Sequence, residues 1–141
     1  MKFVIKMLAT GLGTGYLKPG PGTWGSLFGL ILAVFVNISL ELILVATVIG
    51  IYICQKGEEI LQEHDSPHIV FDEIIGMWVA LWNIPLYFYP LAFVLFRFFD
   101  ISKVYPINRL QQFPGGWGIM LDDLASGMVA RIIIGLILFI F

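Results

Sequence analysis

The sequence predicts an all-α protein: a small polytopic membrane bundle of about five short helices, with an acidic site at their cytoplasmic ends. Three observations predict it. Hydrophobic residues make up 59% of the 141 residues and charged residues only 13%, against roughly 45–50% and 25% in an average soluble domain. The charges are clustered, leaving long charge-free gaps. And five carboxylates fall at predicted helix ends that the connectivity brings to one membrane surface. A globule this small has too much surface to hide so much apolar side chain. The composition therefore excludes disorder and disfavours an ordinary cytosolic domain. The length fits one domain, 1–141.

Each element follows from a gap. Residues 19–40, 42–55 and 74–96 carry no charge, and 124–141 carries only Arg131. The first apolar run extends from Trp24 to Ile38 and the second from Leu40 to Cys54. Asn37, Ser39 and Glu41 between them predict a tight turn. Each run amounts to about 22 Å of helix, short of the roughly 30 Å hydrocarbon core, so the helices extend into their flanks or the bilayer thins. The third gap is interrupted by Asn83, Pro85 and Pro90. Either it is one kinked span, or two short helices over 69–82 and 86–100. The second reading is preferred, because Pro85 disfavours helix at Ile84 and Asn83 suits a turn. Pro90 then sits in a first turn, where it is tolerated. The last span covers 119–140, after the glycine-rich Pro114–Gly118 stretch.

The connections sort by charge. The polar loops 1–22, 55–68 and 101–118 hold Lys2, Lys6, Lys18, Lys56, Lys103 and Arg109, with Arg97 beside one of them, while the turns near 37–41 and 83–86 hold no Lys or Arg. The positive-inside rule places the N-terminus and all three loops in the cytoplasm and the C-terminus on the far side. The expectation is a multi-pass protein of a cell membrane. Met1 to Leu8 is too short an apolar region for a cleavable leader.

This topology puts Asp72, Glu73, Asp100, Asp122 and Asp123 at one surface, with Thr23 beside them. Five carboxylates at one level repel each other, and a hard divalent cation resolves the conflict. Oxygen donors fit Mg²⁺, which keeps waters and leaves room for phosphate; nitrogen and sulfur donors are too scarce for Zn²⁺. Helix capping is the competing explanation for Asp72, Glu73, Asp122 and Asp123, because helix N-termini favour acids. It does not cover Asp100, at a predicted helix C-terminus. Arg97, Lys103 and Arg109 are candidate phosphate contacts, with interfacial snorkelling or salt-bridging as the plainer alternative. Arg131 falls within the apolar zone, where a charge usually has a partner; it reaches either back toward the carboxylates or to the far interface.

Other features point nowhere specific. With a net charge of -2, nothing suggests nucleic acid. Cys54 is the only cysteine, and a lone thiol ending an apolar run packs as a small hydrophobe. His64 and His68 have ligand spacing, but Pro67 between them argues against a helix. Gly11-Leu12-Gly13-Thr14-Gly15 fails as a dinucleotide fingerprint and as a P-loop; it reads as the lead-in to a helix starting near Thr23. Gly25, Ser26 and Gly29, or Ser126, Gly127 and Ala130, allow close packing within a chain or between copies, so a homo-oligomer is an open alternative.

Four stretches carry a resemblance: PGPGTWGSL from Pro19, HDSPHIVFDEIIGMW from His64, FRFFDISKVYPI from Phe96 and GGWGIMLDDLASG from Gly115. In this order and spacing the chain resembles the phosphatidylglycerophosphatase A family. The resemblance implies Mg²⁺-dependent hydrolysis of the terminal phosphate of phosphatidylglycerophosphate, giving phosphatidylglycerol, at the bacterial inner membrane, in a pathway that also leads to cardiolipin. The family's acidic positions map to Asp72, Glu73, Asp100, Asp122 and Asp123. With the topology, the expectation is that these five hold the metal, that Asp72, Glu73, Asp100 and Asp123 serve catalysis, and that Thr23, Arg97 and Lys103 bind substrate. Two departures stand out. Lys103-Val104-Tyr105-Pro106 lacks one proline of the family run, and Gln111-Gln112-Phe113-Pro114 lacks its charges. The remaining alternatives are a phosphatase for another lipid phosphate and a non-catalytic membrane protein with capped helices.

Overall fold

In a computed structural model, residues 2–16, 21–62, 69–102 and 115–140 are described. They form six α-helices: α1 (Lys2–Ala9), α2 (Pro21–Phe35), α3 (Leu40–Leu61), α4 (Phe71–Leu81), α5 (Tyr89–Ser102) and α6 (Gly115–Ile140). There is no strand among the described residues. The all-helical bundle is as the sequence predicts.

The helices differ in length in a way that matters. Only α3 and α6 are long and apolar enough to cross a membrane; at 22 residues α3 extends about 33 Å. By contrast α4 has 11 residues, or about 16 Å. It is the hub. It packs against α1, α2, α3, α5 and α6, and Ile74–Met77, Ala80 and Leu81 are buried. Many outward-facing side chains on the surrounding helices are apolar. Val48 on α3 is 70% exposed, Val94 on α5 61% and Phe139 on α6 88%. A large apolar outer surface of this kind suits association with a membrane.

Small residues let the helices close on the hub. Gly25 and Gly29 of α2 lie on Val70 and Ile74; a Cβ on Gly25 would stand 2.6 Å from the Val70 Cβ. Trp78 then donates its indole N–H to the Gly29 carbonyl at 3.0 Å. Gly50 of α3 lies against Ile75 and Met120, and Gly127 of α6 against the Gly76 carbonyl. The two predicted small-residue groups thus pack within the chain.

Several boundaries move. The predicted loop 1–22 contains α1, and α2 starts at Pro21, with proline in the first turn, where its missing N–H costs nothing. Helix α1 is anchored by tertiary contact: the Val70 N–H donates to the Ala9 carbonyl at 2.7 Å, and Ala9 packs on Gly57 of α3. The chain then reverses through Gly11, Leu12 and Gly13, all at positive φ. The predicted loop 55–68 is helical as far as Leu61, because that polar extension of α3 has α1 to pack against; Gln62 ends it in the left-handed conformation. The turn before α3 is as predicted, with Ser39 accepting the Leu42 N–H as N-cap. So is the break after α4, where Asn83 takes φ 54°. Pro90 sits in the first turn of α5.

Candidate active site

The acidic site forms where α4, α5 and α6 meet. Asp72 and Glu73 stand in the first turn of α4. Asp123 comes from α6. One carboxylate oxygen from each of these three lies within 4.8 Å of the others. Asp100, in the last turn of α5, is buried alongside and within hydrogen-bonding reach of Asp123, as is Asp72. Asp123 is 2% exposed and Asp72 5%. From behind, the buried Cys54 of α3 meets the Asp72 backbone.

Two glycines bring α4 and α6 close enough to do this. Gly76 follows Asp72 by four residues, and Gly127 follows Asp123 by four. A four-residue step keeps both on one helix face. A Cβ on Gly76 would stand 2.8 Å from the Asp123 carbonyl, and one on Gly127 would strike the Gly76 carbonyl. The glycine contact therefore sets the separation of the two carboxylates. This was missed in the sequence, although the Asp-x-x-x-Gly spacing occurs in both stretches and is the signal that finds it.

Arg97 is the cation of the site. Its guanidinium pairs with Asp100, one turn away on α5, and with Glu73 at 3.9 Å. The Arg97 side chain is 14% exposed, and its Nε is buried with no acceptor among the described residues. The predicted phosphate contact is thus first a clamp on two carboxylates, with one donor still to be used.

The other predicted residues sort by position. Asp122 is buried but lies one residue round the helix from Asp123, outside the three-oxygen group. Its carbonyl accepts the Ser126 hydroxyl. Thr23 is exposed in the first turn of α2, at the same end of the bundle. Lys103, Arg109, His64 and His68 lie outside the described residues. Arg131 does not turn toward the carboxylates. Its Nε donates to the Trp82 carbonyl at 2.6 Å, at the far end of α4, and its guanidinium lies 5.8 Å from the Trp82 ring centroid.

Capping does not account for this set. The predicted start of the last helix at 119 put Asp122 and Asp123 near its N-terminus. The helix begins at Gly115 instead and has no acid in its first turn, so both lie about two turns inside, beyond the reach of the free N–H groups. Asp100 is at the wrong end of its helix for capping. Only Asp72 and Glu73 keep that explanation.

Comparison with known proteins agrees with the geometry. The family model for phosphatidylglycerophosphatase A matches residues 7–138. The chain belongs to the phosphatidylglycerophosphatase A family. A phosphatidylglycerophosphatase A of Haemophilus influenzae is 40% identical over 140 residues, covering 92% of this chain and 86% of that protein. One of Escherichia coli is 35% identical, covering 88% and 77%. A putative phosphatidylinositol-3-phosphatase of Bacteroides thetaiotaomicron is 33% identical, covering 94% and 92%. No solved structure matches the chain. Family membership makes the protein a lipid phosphatase, a hydrolase of phosphoric monoesters.

Proposed function

We infer that the chain hydrolyses the terminal phosphomonoester of phosphatidylglycerophosphate to phosphatidylglycerol and inorganic phosphate, in bacterial phospholipid synthesis. The observation that carries this is the buried three-carboxylate group beside Arg97, in a chain of this family. The bundle sits in the cytoplasmic membrane with its carboxylate end facing the cytoplasm, and the substrate's acyl chains stay in the bilayer. Such a placement suits a lipid whose reacting phosphate projects from the surface.

The residues present fit a Mg²⁺ ion. The donors are all oxygens, they come from two helices, and their ligand atoms converge within 4.8 Å. Asp72 Oδ1, Glu73 Oε2 and Asp123 Oδ1 are buried oxygens that accept no hydrogen bond among the described residues, although each side chain has other contacts. Asp72, Glu73 and Asp123 would hold the ion, and when bound it supplies charge neutralisation at the phosphoryl oxygens. The remaining chemistry belongs to side chains. Arg97 holds Glu73 and Asp100 in place and offers its Nε–H to a phosphoryl oxygen. Asp100, paired to Arg97 and next to Asp123, fixes the position of both. One carboxylate of the group takes the proton of the attacking water as the new P–O bond forms. The bond from phosphorus to the glycerol oxygen breaks, and that oxygen takes a proton from solvent water as it leaves, while the carboxylate returns its own proton to solvent. Lys103 adds a second cation at the phosphate.

The decisive assay is phosphate release by the purified protein from phosphatidylglycerophosphate, phosphatidic acid, phosphatidylinositol 3-phosphate and glycerol 3-phosphate, with Mg²⁺ and with chelator. Mg²⁺-dependent release from the first alone is the expected result. The Bacteroides relative's printed name gives the second reading, a phosphatase for another lipid head group; release from phosphatidylinositol 3-phosphate in preference would establish it. No release from any lipid would end both readings. A phosphorylated enzyme trapped with labelled substrate would replace water by a carboxylate as the first nucleophile.

A further inference from the structure

Away from the carboxylates, α3 and α6 diverge. They touch at Gly50 and Met120, and beyond that contact a cavity of about 380 Å³ opens between them. Leu44, Thr47, Val79, Leu124, Met128 and Ile132 line it, and Arg131 with Trp82 closes its far end. The Thr47 hydroxyl is turned inward, donating to the Ile43 carbonyl at 2.7 Å. The walls are therefore largely apolar, and apart from Val79 and Trp82 at the end of α4 they belong to the two helices able to cross a membrane. From Leu124 to Arg131 the groove runs about 10 Å along α6.

Arg131 is the anomaly in this groove. It forms no ion pair with a carboxylate among the described residues. Nε is used by the Trp82 carbonyl, which leaves the edge carrying the two terminal nitrogens. Nη1 lies over Gly135, where a Cβ would stand 3.0 Å away, so the side chain extends toward the C-terminal end of α6. A guanidinium in apolar surroundings pairs with an acid or with backbone carbonyls; the Trp82 carbonyl takes Nε, and the edge with the terminal nitrogens is the part that suits an anion. Its planar fork matches the oxygens of a phosphodiester.

We propose that this groove binds one anionic phospholipid of the leaflet away from the carboxylates, its phosphodiester on Arg131 and one acyl chain running along the groove toward Leu124. The polarity of the groove fits a lipid of that leaflet, with the charge at the outer end and the apolar length toward the bilayer centre. A second copy of the chain fits less well. A two-fold contact across the groove would bring two Arg131 side chains together in a low dielectric. The one described acid at this end, Glu41, is exposed and makes no ion pair with Arg131. The site is separate from the proposed catalytic group and does not rest on that reading.

Native mass spectrometry of the full-length protein from micelles containing equimolar phosphatidylserine and phosphatidylcholine of matched chains tests this. Neither lipid has the phosphomonoester of the proposed substrate. The expected result is one phosphatidylserine retained in preference to phosphatidylcholine. Arg131→Gln reduces that preference about tenfold, as loss of a charged hydrogen-bond partner should. Met128→Trp, at a 56% exposed position, fills the groove and also expels the lipid while keeping the charge; it carries the test if Arg131→Gln fails to fold. Asp72→Asn leaves retention unchanged. Unaltered retention in Met128→Trp, or loss in Asp72→Asn, overturns the proposal, since the lipid would then be elsewhere or at the catalytic group. A lipid-free dimer that Met128→Trp dissociates would overturn it in favour of a second copy.

Discussion

The two ends of α4 treat buried charge in opposite ways. At its first turn, carboxylates are gathered: Asp72, Glu73, Asp100 and Asp123 lie together, and Arg97 pairs with Glu73 and Asp100 among the described residues. At its last turn a single cation, Arg131, is held by the Trp82 backbone carbonyl, with no carboxylate paired to it. The second arrangement answers a local need. A helix C-terminus has free carbonyls, and a guanidinium satisfies one of them while complementing the dipole. The first goes beyond one: the helix N-terminus favours Asp72 and Glu73 but not Asp100 or Asp123. Concentrating like charge where water is scarce costs stability unless something else neutralises it. The comparison teaches that the acids gathered at the N-terminal end of α4 exceed what their helices need locally, whereas Arg131 at its C-terminal end completes the helix.

The strongest way to break that contrast is to neutralise the carboxylates one at a time. Asp72→Asn and Asp123→Asn should each lower phosphate release by about 10²–10⁴-fold, the range of a catalytic acid–base group, while the protein still partitions into membranes. Turnover near the parent level in either variant would remove that residue from the site. Arg97→Ala should fail differently. It leaves Glu73 and Asp100 buried without their cation, a loss of about 3–5 kcal/mol, so thermal unfolding in detergent should fall together with activity. A variant that kept its unfolding temperature would show Arg97 to be a substrate contact and not a clamp.

The next test sharpens the contrast by moving the backbone and leaving every charge in place. Gly76→Ala puts a methyl where the Asp123 carbonyl and the Phe96 ring already are. Overpacking of this kind costs about 1–3 kcal/mol, and it pushes Asp123 away from Asp72. Activity should drop more than stability does, with a higher Mg²⁺ concentration needed for half-maximal rate. Equal loss of stability and activity, with no change in Mg²⁺ demand, would mean the glycines serve packing alone.

Much of this was legible. The charge gaps located the five helices α2 to α6, and Ser39 and Asn83 marked turns and Pro90 a helix first turn for local reasons that tertiary structure did not override. The carboxylates were brought together by connectivity alone. What failed was anything decided by contact between distant segments. Helix α1 is too short to be stable in isolation; Val70 and Gly57 hold it. The polar end of α3 looks like a loop by hydropathy, because apolarity marks what meets lipid and not what is helical. The start of α6 in a glycine-rich run is likewise invisible to propensity. Arg97 was read as a phosphate contact or a salt-bridging residue, but its partner Glu73 is 24 residues away in sequence and only the packing of α5 on α4 brings them together.

The smallest effect should come from the far end, and its smallness is the point. Ser39 caps α3 by accepting the Leu42 N–H at 3.1 Å. Ser39→Ala should cost about 1 kcal/mol of stability and leave phosphate release and its Mg²⁺ dependence where they were. The cap, Asp72 and Glu73 are all polar groups at helix starts, but only the carboxylates are linked across helices, to Asp123. A change at Ser39 can loosen the first turn of α3 without altering any Asp72 or Asp123 distance, because α3 meets α6 at Gly50, about three turns further on. A measurable loss of turnover in Ser39→Ala would show that the bundle transmits strain along its whole length, and the separation of the two ends would have to be given up.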